Sequence, residues 1–270
     1  VPPAHEQVAA LAAHDQPGVT INSVNSSSPK FAAPPSDEMW YDFGSVRSLD
    51  FDERYRFAQL PLLAPNHPLA INTPADEDYE CGRYATPKYS LALPIPHSEL
   101  ERSNAYQALL RDIQSRAFSP KIDHELVARR RDRLHVTIVG KIDPGAIAET
   151  VRIASDILTR EVTGFRMLGP FIGTFNTGRI YFPLLAQTTP RGCWLDRIHR
   201  AFGHDPASFH GMGYFNFVDE LDENESRDLA DFIGTWKHVT MFEGVARRLQ
   251  IMATNDDLAL SARTISMFPS

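Results

Sequence analysis

Cysteine is scarce in this 270-residue chain, which has only Cys81 and Cys193. Two isolated thiols supply neither a metal-ligand spacing nor a disulfide framework. A reducing compartment is therefore the expected setting, and a cytoplasmic location follows from it. Long apolar runs are also lacking, so no membrane span is expected. Positive charge is in deficit, with 27 Lys and Arg against 34 Asp and Glu and a net charge of −7. A field of that sign repels a nucleic-acid backbone and argues against long DNA as a partner. The opening VPPAHEQVAALAAHDQPG has no basic start followed by an apolar run, so a secretory leader is not expected. The histidines show no ligand spacing, apart from His204 and His210 flanking a Gly/Pro loop. No metal and no cofactor are expected.

What is present is the composition of an ordinary globular protein, 43% apolar and 23% charged. Residues 1–38 are rich in Pro, Ser, Ala and Asn and read as an extended or flexible arm. Their removal is expected to leave the fold intact. Residues 39–87 mix aromatics with scattered prolines and read as an irregular layer on the main domain. From 88 to 270 the pattern sharpens. YSLALPIP reads as a strand. SELERSNAYQALLRDIQSRA reads as one helix, with Ser98 as N-cap and Glu101 completing a capping box. LHVTIVGKI is a strand, and Pro144 opens the helix PGAIAETVRIASDILTREV. GFRMLGPFIGTF and RIYFPLLA form a hairpin around NTG. Pro190 opens the helix RGCWLDRIHRAFG. HVTMF, LQIMATND and ALSARTISMF read as further strands.

HVT occurs twice, as His135-Val136-Thr137 and His238-Val239-Thr240, and none of the other eight histidines has Ser or Thr at that spacing. Residues two apart on a strand share a face. A histidine and a threonine on one face of an apolar strand need hydrogen bonds or a function. The plainer alternative is a pair of core histidines bonded to backbone carbonyls. Two imidazoles on opposite sides of one phosphate can serve as base and acid near neutral pH. The threonine hydroxyls can donate to its non-bridging oxygens.

On both HVT motifs and the order of elements, residues 88 to 268 resemble the 2H phosphoesterase (two-histidine) superfamily, which includes cyclic phosphodiesterases. The resemblance implies a bilobal, duplicated α+β fold with two antiparallel sheets facing a central cleft and helices outside. It implies catalysis by His135, Thr137, His238 and Thr240 without a metal. It also implies a 2′,3′-cyclic phosphate, or a 2′–5′ linked nucleotide or RNA end, as substrate. The arm and layer before residue 88 depart from the family. So does the segment from about 208 to 236, which looks like an insertion ahead of the second motif.

Strand alternation adds candidates for substrate binding. Arg133 would share the face of His135, and could reach an anion. Trp236 would share the face of His238, and could stack on a base. Arg179 and Tyr181, in GRIYF, are pocket-wall candidates. The basic run ARRRDR at 128–133 reads as a charged loop edge. The partner expected is a small nucleotide or RNA-end phosphoester bound to a monomer. Two alternatives remain open: a phosphoester-binding module without turnover, and a family member specialised for another metabolite.

Overall fold

The computed structural model describes residues 29–44, 47–73 and 77–269. Residues 1–28 of the expected arm lie outside them. The chain forms two antiparallel sheets with helices against them, an α+β architecture as expected.

In the first sheet the central strands are β2 (Arg83–Pro94) and β11 (Leu249–Asp256). The short β1 (Tyr79–Glu80) and β3 (His135–Ile142) share one edge of β2, and β12 (Arg263–Phe268) flanks β11. The second sheet is built on β6 (Asn176–Ala186). Along one edge of β6 run β4 (Gly164–Leu168) and β5 (Phe171–Gly173); along the other runs β9 (Gly211–Asn216). Beyond β4 lies β10 (Thr240–Val245). A small ribbon of β7 (Thr188–Thr189) and β8 (Gly192–Cys193) follows β6.

Alternation explains β3. Val136 and Ile138 are buried in the core, while His135 and Thr137 point to the other face. β6 is buried almost throughout, and from Ile180 to Ala186 it reads as a largely apolar run rather than an alternation.

The elements differ from expectation in three places, the first being that Pro190 opens no helix: Thr189 and Gly192 pair across a turn there, and the helix begins only at Trp194. The stretch after β2 is not one helix but two, α3 (His97–Glu101) and α4 (Asn104–Gln114). Ser103 caps the second by accepting from the Tyr106 amide, and Ser98 caps nothing because α3 begins before it. The segment 208–236, expected as an insertion, is ordered into regular elements. It holds β9, a core strand, and α8 (Glu223–Trp236), whose capping box joins Asp222 and Glu225.

The remaining helices are α1 (Glu53–Ala58), α2 (Leu60–Leu63), α5 (His124–Arg130), α6 (Ile147–Arg160) and α7 (Trp194–Ala201). None is long and apolar enough to cross a membrane among the described residues. The layer from residue 39 onward is part of the core. Tyr55 of α1 is fully buried, and its hydroxyl donates to the Phe217 carbonyl. Gly178 makes room for that ring, since a Cβ there would sit 2.2 Å from it. Residues of the expected arm also pair: Phe31 bridges Gln187, and the Ala32 amide donates to the Ala186 carbonyl.

Candidate functional site

The long strands β2 and β6 are each followed by helix and then by an edge strand that folds back on them. β3 is that edge strand in the first sheet and β9 in the second. The two edges lie against each other. Beside them opens a cavity of about 1250 Å³, ample for a nucleotide-sized ligand.

His135 and Thr137 both line this cavity. His135 begins β3 and is half-buried. Its Nδ1–H donates to the Arg133 carbonyl at 2.7 Å. That bond selects the tautomer whose Nε2 carries the lone pair. Burial, with the nearby charges of Arg130 and Arg179, holds the imidazole down to about 4. At neutral pH it is an uncharged ring, a base rather than an acid.

Arg179 and Tyr181 also line the cavity. The Arg179 guanidinium lies over the Tyr181 ring, 5.4 Å from its centroid. Burial pushes the Tyr181 phenol up, so it keeps its proton. Phe175 and Phe209 extend this wall into an aromatic cluster. At the far end Tyr79 and Tyr84 both donate to Asp257, whose carboxyl is pushed up by burial.

The structure does not bring the second HVT to this cavity. α8 runs through Trp236, and residues 237–239 turn the chain, so β10 starts only at Thr240. His238 is therefore an exposed turn residue, not a strand residue. Thr240 pairs with Leu168 on β4. β10 is three strands from β9, about 14 Å at the ordinary strand spacing of ~4.8 Å. Trp236 is a buried helix residue whose indole Nε1–H donates to Asp112 at 2.7 Å. Arg133 sits in a 3-10 turn ahead of β3, and its side chain donates to the Leu260 carbonyl. Its carbonyl, not its charge, serves His135.

Two further cavity residues carried other readings in the sequence. Arg130 ends α5 and is buried against the cavity, not part of a charged loop edge. Its signal was available, since Leu126 and Arg130 are four apart and share a helix face. His210 precedes β9. Its ring bonds the Thr137 backbone, and burial, then His199, lowers its pKa to about 4. Its Nε2 is buried without a partner beside the His199 ring. His210 ties β9 to β3 and, like His135, lines the cavity. No cluster of three or more His, Cys, Asp or Glu side chains among the described residues is arranged to hold a metal ion.

No family model matches the chain, and no curated protein matches it. It is similar to a solved structure described as "Crystal structure of phosphoesterase", at 12% identity and a TM-score of 0.37. The match covers 68% of this chain and 97% of that one. A likeness this slight assigns no activity.

Proposed function

We propose that the cavity binds a phosphoester and that His135 hydrolyses it as general base. One observation carries this reading. The Nδ1–H of His135 is spent on a carbonyl, so a bare Nε2 lines a cavity that also holds the Thr137 hydroxyl and the Arg179 charge. His135 takes the proton of the attacking water. Thr137 donates to a non-bridging oxygen, where charge builds in the transition state. Tyr181, protonated, is the cavity phenol suited to give a proton to the leaving oxygen. No metal or cofactor takes part in the proposal. The substrate class is the one the family resemblance implies, a 2′,3′-cyclic phosphate or a 2′–5′ linked nucleotide or RNA end. The proposal differs from the sequence expectation in one respect: His238 and Thr240 have no part.

A second reading, a binding module without turnover, is favoured by a different observation. The positions on β9 that match His135 and Thr137 are glycines, as set out below.

The test is hydrolysis of a panel of 2′,3′-cyclic nucleotides and 2′–5′ dinucleotides with EDTA present. His135→Ala is expected to lower kcat by about 10²–10⁴, the usual worth of a positioned acid–base group. His238→Ala should stay within about twofold of wild type, as a surface position does. Full activity in His135→Ala would sink the reading. Ligand binding without turnover in wild type would establish the binding module.

A further inference from the structure

The register of the two edge strands identifies what stands in place of a second motif. In the first sheet His135 pairs with Pro94 and Thr137 with Ala92. In the second, Gly211 pairs with Pro183 and Gly213 with Tyr181, the same two-residue step. With Pro94 on β2 set against Pro183 on β6, Gly211 and Gly213 stand on β9 in the register that His135 and Thr137 have on β3. Both glycines line the cavity. The space at Gly213 is filled from elsewhere: a Cβ there would sit 2.1 Å from Cζ of Arg179.

Arg179 is not alone. Arg130, arriving from α5, meets it at one atom. Nη2 of Arg130 donates to the Gly213 carbonyl at 3.1 Å, and Nη2 of Arg179 donates to the same oxygen at 3.0 Å. The residues are 2% and 8% exposed, and both line the cavity. Nε and Nη1 of Arg130 and Nε of Arg179 have no hydrogen-bond partner among the described residues. Neither guanidinium forms an ion pair there. The carboxylate of Asp256, which also lines the cavity, is spent on the amides of Leu258, Leu260 and Ser261.

Two buried like charges with idle donors and no direct ion pair are costly, and the carboxylates of Asp256 and Asp257 act on them only at longer range. An anion offsets that cost. A guanidinium fork matches the oxygens of a phosphoryl group, and two forks supply two positive charges. A phosphomonoester dianion balances both charges, whereas a phosphodiester balances one.

We propose that Arg130 and Arg179, converging on the Gly213 carbonyl, form a subsite for the doubly charged phosphoryl group of a phosphomonoester. The subsite stands on the geometry of the pair and does not require turnover at His135. If His135 does hydrolyse a diester, the same pair holds the monoester product.

The experiment is calorimetric titration of the full chain with glycerol 2-phosphate and with dimethyl phosphate at neutral pH. The monoester is expected to bind at least about tenfold tighter than the diester, since only it meets both charges. Arg179→Gln and Arg130→Gln should each weaken monoester binding about tenfold or more, the usual range for a lost charge-assisted bond. Because either variant can unfold the cavity, wild type is also followed by arginine Nε–H nuclear magnetic resonance. Two guanidinium signals should shift and exchange more slowly when monoester is added. Equal affinity for the two probes, unchanged monoester binding in a folded Arg179→Gln, or no responding arginine signal would overturn the proposal. Tight monoester binding by a chain that hydrolyses nothing would leave the subsite standing and remove only the catalytic role of His135.

Discussion

At the scale of single residues, the chemistry turns on how each side chain is held. His135 works as a base only when unprotonated, and its pKa is held down to about 4 by burial and by two neighbouring arginines. Arg130 is lowered to about 9, by burial first and then by Arg179. Activity is therefore expected to climb through about pH 4, hold across neutrality and fall above about pH 9. A pH profile of kcat/KM checks this. A rising limb at about 6.5, the value of an unperturbed imidazole, would mean that the ring is solvated and distant from the arginines. His135 and Thr137 were legible in sequence because alternation with buried Val136 and Ile138 puts them on one face. Arg130 was harder to read, because a run of arginines looks alike on paper and only one of them is inside.

At the scale of elements, what matters is where each one starts and what it docks on. The second HVT looks like the first, but three residues of it and its approach serve to turn the chain out of α8. Alternation has no meaning before a strand begins, so the inference about Trp236 failed with it. Docking of α1 on β6 is as specific. The Tyr55 ring packs on Gly178, where even one added carbon collides at 2.2 Å. Gly178→Ala is therefore expected to cost about 1–3 kcal/mol, the range for overpacking a filled core. Urea unfolding measures it, and a change below about 0.5 kcal/mol would show that α1 gives way freely.

At the scale of the whole molecule, the two sheets meet where β3 and β9 touch. His210 crosses that seam, bonding the Thr137 backbone as a buried neutral ring. Its pKa is lowered to about 4 in the folded chain, against about 6.5 unfolded. A lowered pKa means the unfolded chain binds more protons, so stability is full above about 6.5 and is lost as pH falls toward 4. His135 acts in the same direction. The melting temperature is expected to drop between pH 6.5 and 4. His210→Gln should lower it at neutral pH and flatten that acid dependence. An unaltered slope in His210→Gln would show that the ring is not held neutral. The N-terminal layer belongs at this scale too. Arg54, Tyr79 and Tyr84 wall the cavity although they lie outside the stretch that resembles a known family.

The amino-acid sequence by itself determined the fold class, most of the strands and the first histidine–threonine pair. Those depend on local periodicity, on β-branched runs and on turn residues, which act over a few positions. The tertiary structure alone decided which of the two HVT histidines lines the cavity. That choice depends on strand order and register, and β10 lies on the far edge of its sheet, away from β3. It alone decided that Gly211 and Gly213 stand opposite Pro183 and Tyr181, and that Phe209 fills the space at the first and Arg179 the space at the second. It alone brought Arg130 from α5 to the same carbonyl. A motif is written along the chain, but a charge pair is made across it, by packing that no local pattern encodes.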